Sequence, residues 1–300
     1  MIEALFHTIS TWATANADLL KVLLPIITLF GAILLAMWRR VAALFAFLKD
    51  RYFNRLQVCV IANAKAKRLD DFLELYHAIF RSDERIATKE ILDWLRWKAK
   101  DVGIQYRLYL AIHKSHPVGI AISLFDRQSG ILFIPYLGIA NLDVQWRDTK
   151  KIIRALLNTV SRTAHKWKVG IVEVADPDEP AIEDDEVKRR RARIRRLRAL
   201  AGGVGLEMIQ PDIAYIQPVY HTDVDERDLR TMVLFLLESA KRDDGLPKEI
   251  IMDALTFVYH KVYRPSFGGP PETVAAYEED LSARLSELAT TLAEIVPVRR

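Results

Sequence analysis

The chain has 300 residues, 51% of them hydrophobic, with 43 basic against 39 acidic side chains and a formal net charge of +4. That balance is too even to argue for nucleic acid on charge alone, and one cysteine, Cys59, excludes an intramolecular disulfide and fits a reducing compartment. The length allows one large domain or two modest ones, each with a proper core.

The stretch 22–38, VLLPIITLFGAILLAMW, holds no charge. At about 1.5 Å per residue it falls just short of a bilayer core, and Leu19, Leu20 and a snorkelling Lys21 make up the difference. A single membrane span over about 19–38 is therefore predicted. Arg39, Arg40, Lys49, Arg51 and Arg55 follow the uncharged stretch 22–38, and Lys21 alone of the basic residues lies just before that stretch. The positive-inside rule then places the C-terminal bulk in the cytoplasm, at the inner (plasma) membrane. Before the span, Ile2, Leu5, Phe6, Ile9 and Trp12 form a helical stripe, suited to the opposite interface or to packing against a second copy. Residues 1–56 thus read as an anchor with a juxtamembrane helix.

Beyond the anchor the apolar pattern predicts a strand over 57–62, which contains Cys59 as a buried structural thiol. Amphipathic helices follow over 68–80 and 88–100. Two strands, 106–113 and 118–125, flank the turn Lys114-Ser115-His116-Pro117 as a hairpin. A third strand covers 131–139. The next helix carries Ile152, Ile153, Leu156 and Leu157 at helical spacing. A strand at 169–174, a charged helix, and short strands at 206–209 and 213–217 complete this part. From residue 225 onward the pattern reads as helical. The order is that of an α/β mixed sheet flanked by helices, with a main domain at 57–220 and a helical C-terminal extension at 221–300.

Strand 131–139 feeds its helix through Arg147-Asp148-Thr149-Lys150-Lys151, where a helix N-terminus would offer free N–H groups to a phosphate. Such cradles usually need glycine, and this turn has none. The charged segment DPDEPAIEDDEVKRRRARIRRLR, residues 176–198, sets seven acidic residues before eight basic ones. Acid at a helix start and base toward its end suit the macrodipole, and an Arg face toward anionic lipid is the functional alternative. No aromatic interleaving supports a nucleic-acid partner. The seven histidines show no metal-ligand spacing on one helix, so no metal is expected. AGGVG at 201–205 ends a helix rather than opening one and reads as a cap.

Several stretches, taken in order, resemble the GCN5-related N-acetyltransferase (GNAT) family over roughly residues 57–217. RLDDFLELYHAIFRSDERIATKEILDWLR is similar to the first two helices of bacterial members, and SGILFIPYLGIA to their central strand. RRLRALAGGVGLEMI is similar to the fourth helix, DIAYIQPVY to a closing strand, and VYHKVYR to a C-terminal extension. The resemblance implies acetyl-CoA as cosubstrate, lying in a splay between two strands along Leu137, Gly138 and Ile139. It implies phosphate contacts near Arg147, Thr149, Lys150 and Lys151, and a carboxylate base, Glu173 or Glu84.

Two departures stand out. The glycine-rich phosphate turn is replaced, so that Arg147, Lys150 and Lys151 either supply side-chain charge or form a solvated first turn. Counting back four residues from Gly205, where members often carry a tyrosine acid, gives Ala201. The expected function is an acyl-CoA-dependent N-acetyltransferase acting on an amine or protein acceptor at the membrane face. The alternative is a catalytically silent, membrane-tethered binding or sensor module of the same fold, for example within a multiprotein system such as antiviral defence.

Overall fold

The computed structural model describes residues 37, 38, 41, 56–80, 85–140, 146–164, 166–178, 183–213, 215, 217, 232–238, 245–267 and 270–299. The chain divides into Met1–Arg55 and Leu56–Arg300. In the second unit β1 (Gln57–Ile61), β2 (Gln105–His113), β3 (His116–Asp126) and β4 (Ile131–Ile139) form an antiparallel meander. The β2–β3 turn is Lys114-Ser115, with φ of 50° and 69°. Two consecutive left-handed residues give the twist that a tight hairpin needs.

β4 pairs in parallel with β5 (Val169–Ala175), and β5 pairs antiparallel with β7 (Met232–Glu238). β6 (Glu207–Pro211) lies outside β7, and β10 (Val298–Arg299) outside β6. Among the described residues the sheet therefore runs β1-β2-β3-β4-β5-β7-β6-β10. A separate two-stranded ladder joins β8 (Leu246–Pro247) to β9 (Ile295–Val296).

Two helical layers cover the sheet. α1 (Leu69–Ile79) and α2 (Thr88–Asp93, continued through Trp94–Lys98 and Ala99–Asp101) share a core cluster with α5 (Lys248–Thr256, continued through Phe257–Tyr263 and Arg264–Ser266) and α6 (Pro271–Thr291). There Phe72, Ile91, Tyr259 and Leu281 meet Leu108, Phe133, Ile171 and Leu236 of the sheet. On the other face α3 (Trp146–Thr163) and α4 (Asp184–Gly202) bring Ile152, Leu156, Ile194 and Ala201 onto Ala121, Leu132, Val174 and Phe235. Ile171 in one cluster and Val174 in the other follow from the two-residue period of β5.

Two sequence expectations change. Residues 232–238, MVLFLLE, read as helix, form a central strand. A continuous apolar run buried on both faces lacks the alternation that marks a half-buried strand, so periodicity cannot separate it from buried helix. Ile213, Tyr215 and Gln217, the described residues of the expected strand 213–217, lie outside any strand. β7 takes that place in the sheet, so 221–300 contributes β7 and β10 as well as helices. Among the described residues no helix is long and apolar enough to cross a membrane. The span expected over 19–38 lies outside the described residues except for Met37 and Trp38, both helical and exposed.

Candidate functional site

The site begins with a fault in β4. Phe133 pairs with Leu124 and Tyr136 with Ile122, so Ile134 and Pro135 together oppose Ser123. An extra residue bends a strand away from its neighbour, and a proline there has no N–H to offer the ladder. β4 and β5 accordingly pair only through Ile131–Val169, Leu132–Gly170 and Phe133–Ile171. Beyond those pairs the strands separate, and a cavity of about 620 Å³ opens between them.

The open end of the cavity has two helix starts beside it. α3 follows β4 and returns toward the start of β5. α4 follows β5 and returns toward β6, which lies parallel to β5 because both are antiparallel to β7. Thr149 in the first turns of α3 and Arg189 in those of α4 both line the cavity. Along α4 the lining continues through Ala192, Arg193, Arg196, Leu197 and Leu200. That spacing is one face of a helix. The stripe runs from cationic at the mouth to apolar where the strands come together. Arg189 Nε also donates to Glu186 Oε2 at 2.9 Å.

The edge of β4 offers backbone. Ala140 N–H donates to Val118 O on β3. By strand alternation the N–H groups of Leu137 and Ile139 then point away from β3, into the gap. Gly138 has a packing role: a Cβ there would lie 2.6 Å from Ile79 Cγ2 and 2.9 Å from Phe80 Cζ at the end of α1.

Glu173 lies on β5 at the cavity edge, and its side chain reaches the face opposite α3 and α4. Tyr215 Oη donates to Oε1; Tyr263 Oη and Gln217 Nε2 donate to Oε2 at 2.7 and 3.0 Å. Gln217 Nε2 also reaches Tyr263 Oη at 2.7 Å. Burial pushes the Glu173 carboxyl above the ordinary glutamate range, and the three donors offset only part of that effect. A carboxylate held this way is a stronger base than one in water. Its donors come from two distant stretches of the chain, 215–217 and 263.

Among the residues singled out in the sequence, Leu137, Gly138, Ile139, Thr149 and Glu173 line this one cavity. Lys150 and Lys151 are exposed on α3 and are not in its lining. Arg147 belongs to the first turn of α3. Glu84 lies outside the described residues. By sequence, the arginine face of α4 suits anionic lipid rather than this cavity, and neither Gln217 nor Tyr215 nor Tyr263 stands out as a site residue. The signal for the stripe was present in the 189, 193, 196 spacing, but arginines on every side of α4 obscured it.

Other basic residues of α4 have structural duties. Arg190 donates to the Asp176 carbonyl at 2.7 Å, Arg191 pairs with Asp178 at 2.7 Å, and Arg198 stacks over Phe235 at 5.6 Å. Ala201 is buried in the core beneath α4.

No family model and no curated protein matches this chain. Among solved structures it is similar to a GNAT-family protein from Bacteroides thetaiotaomicron, at 14% identity and TM-score 0.46, over 69% of this chain and 99% of that one. It is also similar to diaminobutyrate acetyltransferase from Paenibacillus lautus in complex with diaminobutyric acid and coenzyme A, at 12% identity and TM-score 0.40, over 64% and 100% of the chains. A third is the ribosomal-protein-S18-alanine N-acetyltransferase of Escherichia coli, at 14% and 0.38, over 64% and 99%. At that level of likeness, what the chain does has to come from its own site.

Proposed function

We propose that the protein is an acyl-CoA-dependent N-acyltransferase. The observation that carries this reading is the gap between β4 and β5, which leaves strand edges unpaired beside a basic mouth and a caged carboxylate. An extended arm bearing amides, such as pantetheine, can add to such an edge as a strand would. The Leu137 and Ile139 N–H groups are then placed to polarise a thioester carbonyl. The acceptor amine approaches from the face of Glu173, which takes its proton directly or through one water. Nitrogen bonds to the carbonyl carbon, the carbon–sulfur bond breaks, and the thiolate leaves to be protonated from water. The products are an amide and the free thiol.

The test is a thermal shift of the full chain with acetyl-CoA, where ligand at one hundred times its dissociation constant stabilises by about 2.7 kcal/mol. No shift at millimolar coenzyme overturns the reading.

A second reading, a coenzyme-binding module without turnover, is favoured by Ala201, a buried methyl where the sequence resemblance expects a tyrosine acid. Acceptor-dependent release of free coenzyme A from a panel of amines and peptides decides for the enzyme. Binding without release decides for the module.

The proposal extends to location. The uncharged stretch 22–38 and the basic residues after it support a single span with Leu56–Arg300 on the cytoplasmic side, where acyl-CoA is available. A reporter fused after Arg300 is then protected from outside while a tag at Met1 is accessible, and the reverse pattern overturns the topology.

A further inference from the structure

We infer that the phosphates of the ligand are held by arginine side chains of α4, Arg189, Arg193 and Arg196, rather than by the start of α3. This deepens the acyl-CoA reading and rests on it. The ordinary place for a phosphate next to β4 is the first turn of the helix that follows, where free N–H groups point outward. Here that turn is Trp146-Arg147-Asp148-Thr149, with a carboxylate in its sequence and no glycine to let a phosphate approach the backbone. Across the same mouth, three arginines of α4 line the cavity.

The charge of the lining agrees. Among the described residues of the lining, Arg189, Arg193 and Arg196 are cationic and Glu173 is acidic. Glu173 belongs to the opposite face of the sheet, where Tyr215, Tyr263 and Gln217 surround it. Arg189 shares Glu186 with Arg190, so that one carboxylate is divided between two cations. From residue 189 to 196 the helix rises on the order of 10 Å, enough to span a diphosphate and its two ester oxygens. Ala192 stands between the arginines with a single methyl, leaving room above the helix for the ligand. Guanidinium forks suit phosphate because they donate in pairs in a plane. The apolar end of the stripe, Leu197 and Leu200, lies where the non-ionic arm would go.

The experiment is calorimetric titration of the full chain with coenzyme A, pantetheine and inorganic pyrophosphate. It compares wild type with R189Q, R193Q, R196Q, the triple variant and a K150Q/K151Q control. Each arginine change is expected to weaken coenzyme A binding about tenfold. The triple variant should also flatten the salt dependence and lose pyrophosphate, while pantetheine affinity stays within about twofold. An unchanged melting temperature, and recovery of part of the affinity by R193K, separate loss of contact from loss of fold.

If the triple variant binds coenzyme A as wild type does and K150Q/K151Q does not, the phosphates lie on α3 and the inference fails while the acyl-CoA reading stands. If wild type binds pyrophosphate through the arginines but neither coenzyme A nor pantetheine, the anion site stands and the acyl-CoA reading fails. Binding of none of the three overturns both.

Discussion

A Cβ at position 138 would press into Ile79 and Phe80, so Gly138→Ala is expected to destabilise the chain by about 1–3 kcal/mol through overpacking. Denaturant unfolding measures this, and a stability equal to wild type would show that α1 gives way freely. Glu173 carries a pH dependence of two kinds. Its carboxyl is pushed up by burial, so the folded chain holds a proton that the unfolded chain gives up at about pH 4.3. Its stability contribution is therefore most favourable below that value and declines as pH rises through the higher folded value. Glu173→Gln should flatten that part of the stability–pH curve and, in the enzyme reading, remove acyl transfer. Tyr263→Phe takes away a donor to the ionised form, and Tyr263 acts as a positioning residue. The rising limb of the pH–rate profile should move to higher pH with the coenzyme's dissociation constant unchanged. An unmoved limb would mean that Glu173 is not the base.

At the scale of elements, Asp126 closes β3 against the C-terminal helical layer. Burial works against its ionisation, but the Lys261 ammonium at 2.7 Å, the Gln128 N–H and the Ser129 hydroxyl together hold the carboxyl below the ordinary aspartate range. That contribution is present above about pH 4 and is lost as pH falls through the lower folded value. Lys261→Met should cost about 1–2 kcal/mol, a charged hydrogen bond discounted for the partial exposure of the lysine. The loss should appear in urea unfolding at pH 7 and shrink in acid. The elements themselves were legible in unequal measure. α1, α2 and the strands through β5 show their periods openly, because each has one buried and one wetter side or a clear turn at its end. β7 does not, since burial on both faces leaves MVLFLLE without alternation. The gap between β4 and β5 was hidden in Pro135, one residue inside an otherwise convincing strand. The cage around Glu173 was out of reach because Tyr215 and Tyr263 lie 42 and 90 residues away in sequence. Nothing local announces such a meeting.

On the scale of the whole molecule, the division at Arg55 predicts that removing residues 1–55 leaves a folded 56–300, checked by comparing its unfolding transition with that of the full chain. Ending the chain at residue 220 should have the opposite result, because β7 lies between β5 and β6. An aggregated or protease-sensitive product is expected, and a cooperative melt from that fragment would contradict the central role of β7. The same placement has a consequence for how the protein is made. β5 is synthesised 57 residues before β7 begins, which at about 5–20 residues per second is a delay on the order of 3–11 s. Through that interval the ribosome-bound chain carries Ile171 and Val172 on an uncompleted strand edge, the kind of surface other chains adhere to. Biosynthesis of this protein therefore has a window in which that edge is open to other chains, and synonymous codons that slow translation between residues 176 and 231 would lengthen it.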